Sequence, residues 1–135
     1  MLFDVIQPDS HVPAYEQIMA QVTFGIASGL LEAGSLIPSV RKLAEMVLAH
    51  PNTVAKAFLL LERDSILVTR PGRGMEVTPE APRICHARRQ EIVRNRVRAA
   101  LREAVQSALS AEEIRQIVEE ELTHVNGRRR HREQP

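Results

Sequence analysis

In AHPNTVAKAF, residues 49–58, an asparagine, a threonine and a lysine stand just inside a proline, followed by an apolar run. Proline is poor inside a helix but tolerated at its first position, where its missing N–H would have no intrahelical partner, so Pro51 marks a helix start. From there Val54, Ala57, Phe58 and Leu61 recur at the spacing of one buried face, while Asn52, Thr53, Lys56 and Arg63 fall elsewhere on the cylinder. A polar front at a helix N-terminus suits contact with an anion. An asparagine amide can also pair bidentately with adenine, and Lys or Arg can hold phosphate or guanine.

Such a front needs a scaffold. A stripe of Tyr15, Ile18, Met19, Val22 and Ile26 predicts a first amphipathic helix from about Pro13, with Gly29 able to end it. Ser39 is placed as the N-cap of a short second helix that turns Val40, Leu43, Ala44 and Val47 inward. The link LAH then leads to Pro51, which is a helix-turn-helix layout, although the link carries no glycine. From Ser65 the period changes: ILVT at 66–69 and MEVT at 75–78 flank RPGRG, where Pro71 and Gly72 fit the two central positions of a type II turn. The pattern predicts a β-hairpin with Arg70 and Arg73 at its tip, and hence a winged helix-turn-helix. A further short strand is expected over LFDVI, 2–6, and Leu59 and Leu60 are expected to touch the first helix or the wing.

Composition narrows the alternatives. The chain has 135 residues, 44% hydrophobic but only 3% aromatic and without Trp, so its core is built from aliphatic side chains, which favours helices over a large sheet. One cysteine, Cys85, excludes an internal disulfide and a Cys-based zinc site. Adjacent Cys85 and His86 lack further ligands, so no metal and no cofactor are expected. No signal-peptide pattern and no membrane-spanning apolar run is read, so the expectation is a cytoplasmic protein without a membrane partner. There is no Gly-rich phosphate loop, HExxH, GxSxG or carboxylate cluster, so an enzyme is not expected. Residues 1–79 hold six Lys or Arg against eight Asp or Glu, and residues 80–135 hold twelve against nine. Binding to nucleic acid would therefore depend on where charges sit, not on their sum.

The N-terminal region resembles the GntR family of bacterial transcription regulators through PAYEQI at 13–18, GSLIPSVRKLA at 34–44, PNTVAKAFLLLE at 51–62 and RPGRGMEV at 70–77. The PNTV start and short tail are most similar to the YtrA-type subfamily, whose members are small homodimeric repressors. The resemblance implies DNA contacts from Arg41, His50, Asn52, Thr53 and Lys56, and a close minor-groove approach at Gly72. Arg70 and Arg73 at the hairpin tip join this DNA-binding set. Where the family pattern has Gly after LExx this chain has Ser65, and where it has a Thr-Phe pair after the wing this chain has Met75 and Glu76.

Beyond the Pro-rich TPEAPR at 78–83, read as a boundary and hinge, a long helical pattern covers about 84–108. Ser110 and Glu113 then form a capping box for a last helix that Gly127 can stop. Val93, Val97 and Leu101 on one helix, with Ile114, Ile117, Val118 and Leu122 on the other, are the expected dimerisation residues. The Arg-rich helix is expected to be a solvated face with ion pairs to the Glu-rich one. The organisation is thus mainly α with a small β-wing: a winged helix-turn-helix over 1–79, a two-helix dimerisation hairpin over 80–127 and a basic polar tail over 128–135. The expected function is a homodimeric repressor of a palindromic double-stranded DNA operator; the alternative is a winged-helix adaptor acting through protein contacts alone. Two helices cannot enclose a drug-sized pocket of roughly 300 Å3, so a small-molecule effector would need the dimer interface or the crevice between arm and winged domain.

Overall fold

The computed structural model describes residues 2–133, and the side chains of residues 2–127. In chain order the elements are α1 (Ala14–Ala27), α2 (Val40–Val47), α3 (Pro51–Arg63), β1 (Leu67–Arg70), β2 (Gly74–Val77), α4 (Ala81–Gln106) and α5 (Ala111–Glu133). By contacts the chain divides into two compact units, Met1–Glu91 and Ile92–Pro135, with α4 contributing to both.

The first unit is the winged helix-turn-helix. Ile18, Val22, Leu43, Val47, Val54 and Leu61 are fully buried, so α1, α2 and α3 meet on the faces that the spacing marks as apolar. The Ser39 hydroxyl accepts from Lys42 N at 3.2 Å and caps α2. No glycine is needed at the turn because Leu48 takes the left-handed conformation, with φ 55 and ψ 47, and Ala49 N closes onto Ala44 O at 3.0 Å. β1 and β2 pair antiparallel with Leu67 opposite Val77 and Arg70 opposite Gly74. At the tip Gly72 has φ 75 and Arg73 N donates to Arg70 O at 2.9 Å, as a turn with Pro first and a positive φ second requires. The segment before α2 runs along the other edge of β2: Gly34 N donates to Val77 O, Ile37 N to Met75 O, and Leu36 forms a bridge with Glu76.

Three expectations change. Residues 2–6 are not a strand: the Gln21 amide accepts from Asp4 N and donates to Asp4 O at 2.9 and 2.8 Å, and Ile6 N donates to Val47 O. Side chains of α1 thus satisfy backbone groups that a sheet partner would otherwise take. TPEAPR is not a free hinge. Ala81 and Cys85 are fully buried in the first unit, and Thr78 Oγ1 donates to Ser65 O at 2.5 Å, so the chain is docked there. Gly127 does not end α5, which continues to Glu133; Gly127 is absent from the positive-φ residues and simply continues the helix. The expected tail at 128–133 is therefore helical in backbone, and residues 134–135 lie outside the described residues.

In the second unit Ser110 caps α5, its hydroxyl accepting from Glu113 N at 3.1 Å. Ala108 turns the chain with φ 64, and Leu109 N donates to Ala104 O. Val97, Ile117 and Leu122 remain 53%, 49% and 54% exposed, and Val93, Leu101 and Val118 are also exposed, while Ile114 is half-buried.

Candidate nucleic-acid interface

The front of α3 is built by its own cap. His50 precedes the helix in extended conformation, and its Nδ1 accepts from Asn52 N at 3.0 Å, which commits that nitrogen to the cap on an otherwise exposed side chain. Pro51 follows as the first helical residue. Because Val54, Ala57, Phe58 and Leu61 face the core, the opposite pole carries Asn52, Lys56, Leu59 and Arg63, all exposed. Thr53 sits a quarter-turn away and is half-buried. Arg41 is exposed on the first turn of α2, beside Lys42.

Lys56 does not hang free: its Nζ lies 4.0 Å from the centroid of the Tyr15 ring. Such a cation–π contact confines a long side chain without neutralising it. The spacing of α1 accounts for Tyr15 only as part of the apolar stripe, and no sequence signal links it to Lys56. Its hydroxyl donates to Glu16 at 3.2 Å, and that carboxylate raises the phenol above its ordinary range. Leu59 contradicts the expectation of contact with α1 or the wing, since it is 66% exposed; Leu60 is half-buried. The helical period explains this, because position 59 falls between 52, 56 and 63 on the outward pole.

On the wing, Leu67 and Val77 are buried, Met75 is half-buried, and Thr69 shares their face of the hairpin but is exposed near the tip; the Glu62 carboxylate ties the hairpin to α3 by accepting from Thr69 N and Oγ1 at 3.2 and 2.6 Å. Arg70 and Glu76 lie on the outer face and pair, Nε to Oε2 at 2.6 Å. Arg73 is exposed and has no ion-pair partner among the described residues. The eight residues expected at a DNA surface all belong to the first unit, and the expected dimerisation residues all belong to the second. Among the described residues no group of three His, Cys, Asp or Glu could hold a metal ion, and no helix is long and apolar enough to cross a membrane.

These elements match those of known proteins. Residues 14–77 match the model of bacterial regulatory proteins, gntR family. The chain is 31% identical to the HTH-type transcriptional repressor YtrA of Bacillus subtilis over 122 residues, 90% of this chain and 94% of that one. The chain belongs to the GntR family. Two solved structures place its likeness across most of its length. A transcriptional regulator from Oenococcus oeni superposes with a TM-score of 0.72 at 28% identity, covering 89% of this chain and 99% of that one. YtrA from Sulfolobus acidocaldarius, a GntR-family transcription factor, does so with a TM-score of 0.53 at 30% identity, covering 90% and 97%. This GntR-family protein is therefore YtrA-like in its C-terminal helices as well as in its winged domain.

Proposed function

We propose that this GntR-family protein is a homodimeric repressor that reads a palindromic DNA operator. The observation that carries the reading is the outward pole of α3, where Asn52 and Lys56 stand exposed at the N-terminal end of a helix held by α1 and α2. A recognition helix enters the major groove with such residues near base edges. Arg41 and Arg73 are exposed cations suited to phosphate, and Gly72 keeps the wing tip free of a side chain. Repression is drawn from the relative named as a repressor that matches nearly the whole chain. Dimerisation is supported by the exposed apolar residues of the second unit, which form a stripe that water does not favour and a second copy would cover. A two-fold dimer in turn implies a two-fold site.

The test is a gel shift with DNA from upstream of the protein's own gene, run at several salt concentrations against a random duplex. Preferential retardation of the upstream duplex supports the reading, and equal binding to both overturns the operator. Leu59 on the α3 pole and the acidic balance of residues 1–79 favour a second reading, an adaptor that uses this face for protein contacts. Absence of any shift at low salt would select it.

A further inference from the structure

The wing carries a carboxylate where a DNA-facing surface would be expected to avoid one. Glu76 is in the middle of three adjoining segments: its backbone lies opposite Val68 of β1 on one side and bridges Leu36 on the other. Strand alternation puts its side chain on the outer face with Arg70, away from Met75 and Val77. There the Glu76 side chain is only 16% exposed and its Oε2 lies 2.6 Å from Arg70 Nε, while the Arg70 side chain is 51% exposed. A phosphate that pulled Arg70 away would strand a largely buried carboxylate, which is costly. Arg70 can therefore offer only its outer terminal N–H groups, with its charge already cancelled.

We propose that Glu76 is a positioning residue that sets how the wing binds DNA: it pins Arg70 through Nε, cancels its charge, and leaves Arg73 as the one wing cation that neutralises a phosphate. This inference rests on the DNA-binding reading above. Its consequence is measurable because each phosphate neutralised by a free cation contributes a slope of about 0.9 to the fall of log affinity with log salt. A phosphate facing a neutral Arg70–Glu76 pair releases no condensed cation and adds nothing to that slope. The pair thus lowers general affinity for DNA while keeping a donor fixed in place, so the wing responds more to groove shape than to charge.

The experiment measures that slope by fluorescence anisotropy for the full chain on its upstream duplex and on a random duplex. Glu76→Gln keeps the shape and removes the charge. It should steepen the slope by about 0.9 per engaged wing, so that a fourfold rise in salt costs about 3.5-fold more affinity per wing than in the wild type, on the random duplex as well. The double variant R70A/E76A removes both charges and should keep the wild-type slope, whereas Arg73→Ala should reduce it by about 0.9 per wing. An unchanged slope for Glu76→Gln, or a reduced slope for the double variant, would overturn the proposal, because Arg70 would then neutralise phosphate independently of Glu76. Circular dichroism melts of each variant separate a slope change from loss of fold. A wild-type chain that binds neither duplex at any salt overturns the DNA reading and this inference with it; normal binding with the wrong slopes overturns the inference alone.

Discussion

Leu48 and Ser65 occupy left-handed backbone, with φ 55 and φ 63, at two places where a glycine would be free of strain. An L-residue there costs about 1–2 kcal/mol, and glycine returns part of that through its freer unfolded chain. Both side chains are exposed, so little packing is lost by removing them. Ser65→Gly should therefore stabilise the protein by about 0.5–1 kcal/mol, read as a rise in urea midpoint with unchanged m. On the DNA side, Arg41→Ala should weaken binding to all duplexes and flatten the salt dependence, as loss of a phosphate contact does. Asn52→Ala should instead relax preference at one base pair, by about 1–3 kcal/mol, in binding measured against single-base operator variants. Equal effects of both changes on specific and random DNA would reject the two roles. The left-handed Ser65 was legible as a departure from the family pattern, whereas Leu48 was not. Its conformation is imposed by the closure of Ala49 N onto Ala44 O, which depends on α2 and α3 packing together.

Among the elements, those with a local signature were readable and those that depend on a partner were not. Ser39 and Ser110 cap their helices because a hydroxyl just before an apolar period can do little else as well, and Pro71-Gly72 makes the turn that its two φ values dictate. LFDVI alternates like a strand, but a strand exists only with a partner edge, and the amide of Gln21 takes that place. The start of α4 shows the same dependence. Its docking rests on Ala81 and Cys85, which reach the core of the first unit, with Arg88 Nη2 3.2 Å from Asp64 and the Arg89 guanidinium 4.9 Å from the Phe24 ring centroid. Burial pushes the Cys85 thiol up to about 11 from an ordinary 9.0, against smaller opposing effects of Arg88 and Thr23. The folded state thus keeps a proton that the unfolded chain releases. The associated stability is complete below pH 9 and is lost as pH rises through 11, about 3 kcal/mol in all. Urea titrations at intervals across that window should show a steeper alkaline fall for the wild type than for Cys85→Ala, whose remaining fall comes from other groups. Equal slopes would mean that Cys85 ionises in the fold as freely as outside it.

For the whole molecule the open question is what covers the second unit. The heptad-like spacing of Val93, Val97 and Leu101 and the stripe of Ile114, Ile117, Val118 and Leu122 were visible in the sequence, but periodicity cannot say which surface meets them. Most of them stay exposed in the single chain, which is a poor end state for so many large aliphatic side chains and a good one for half of an interface. If a second copy covers them, a carboxylate placed at the centre of the stripe must be buried without a partner or the dimer must part. L101E combined with I117E should weaken the dimer at least about 100-fold, since each unpaired charge costs several kcal/mol. Light scattering at micromolar concentration should then report a monomer, while the helical circular dichroism of the first unit persists. Operator affinity should fall with it by about 10²–10⁴, because two linked heads gain that much from binding together, while affinity for a half-site should hardly change. A variant that stays dimeric would place the interface elsewhere, and a monomeric variant with full operator affinity would remove the palindrome from the mechanism.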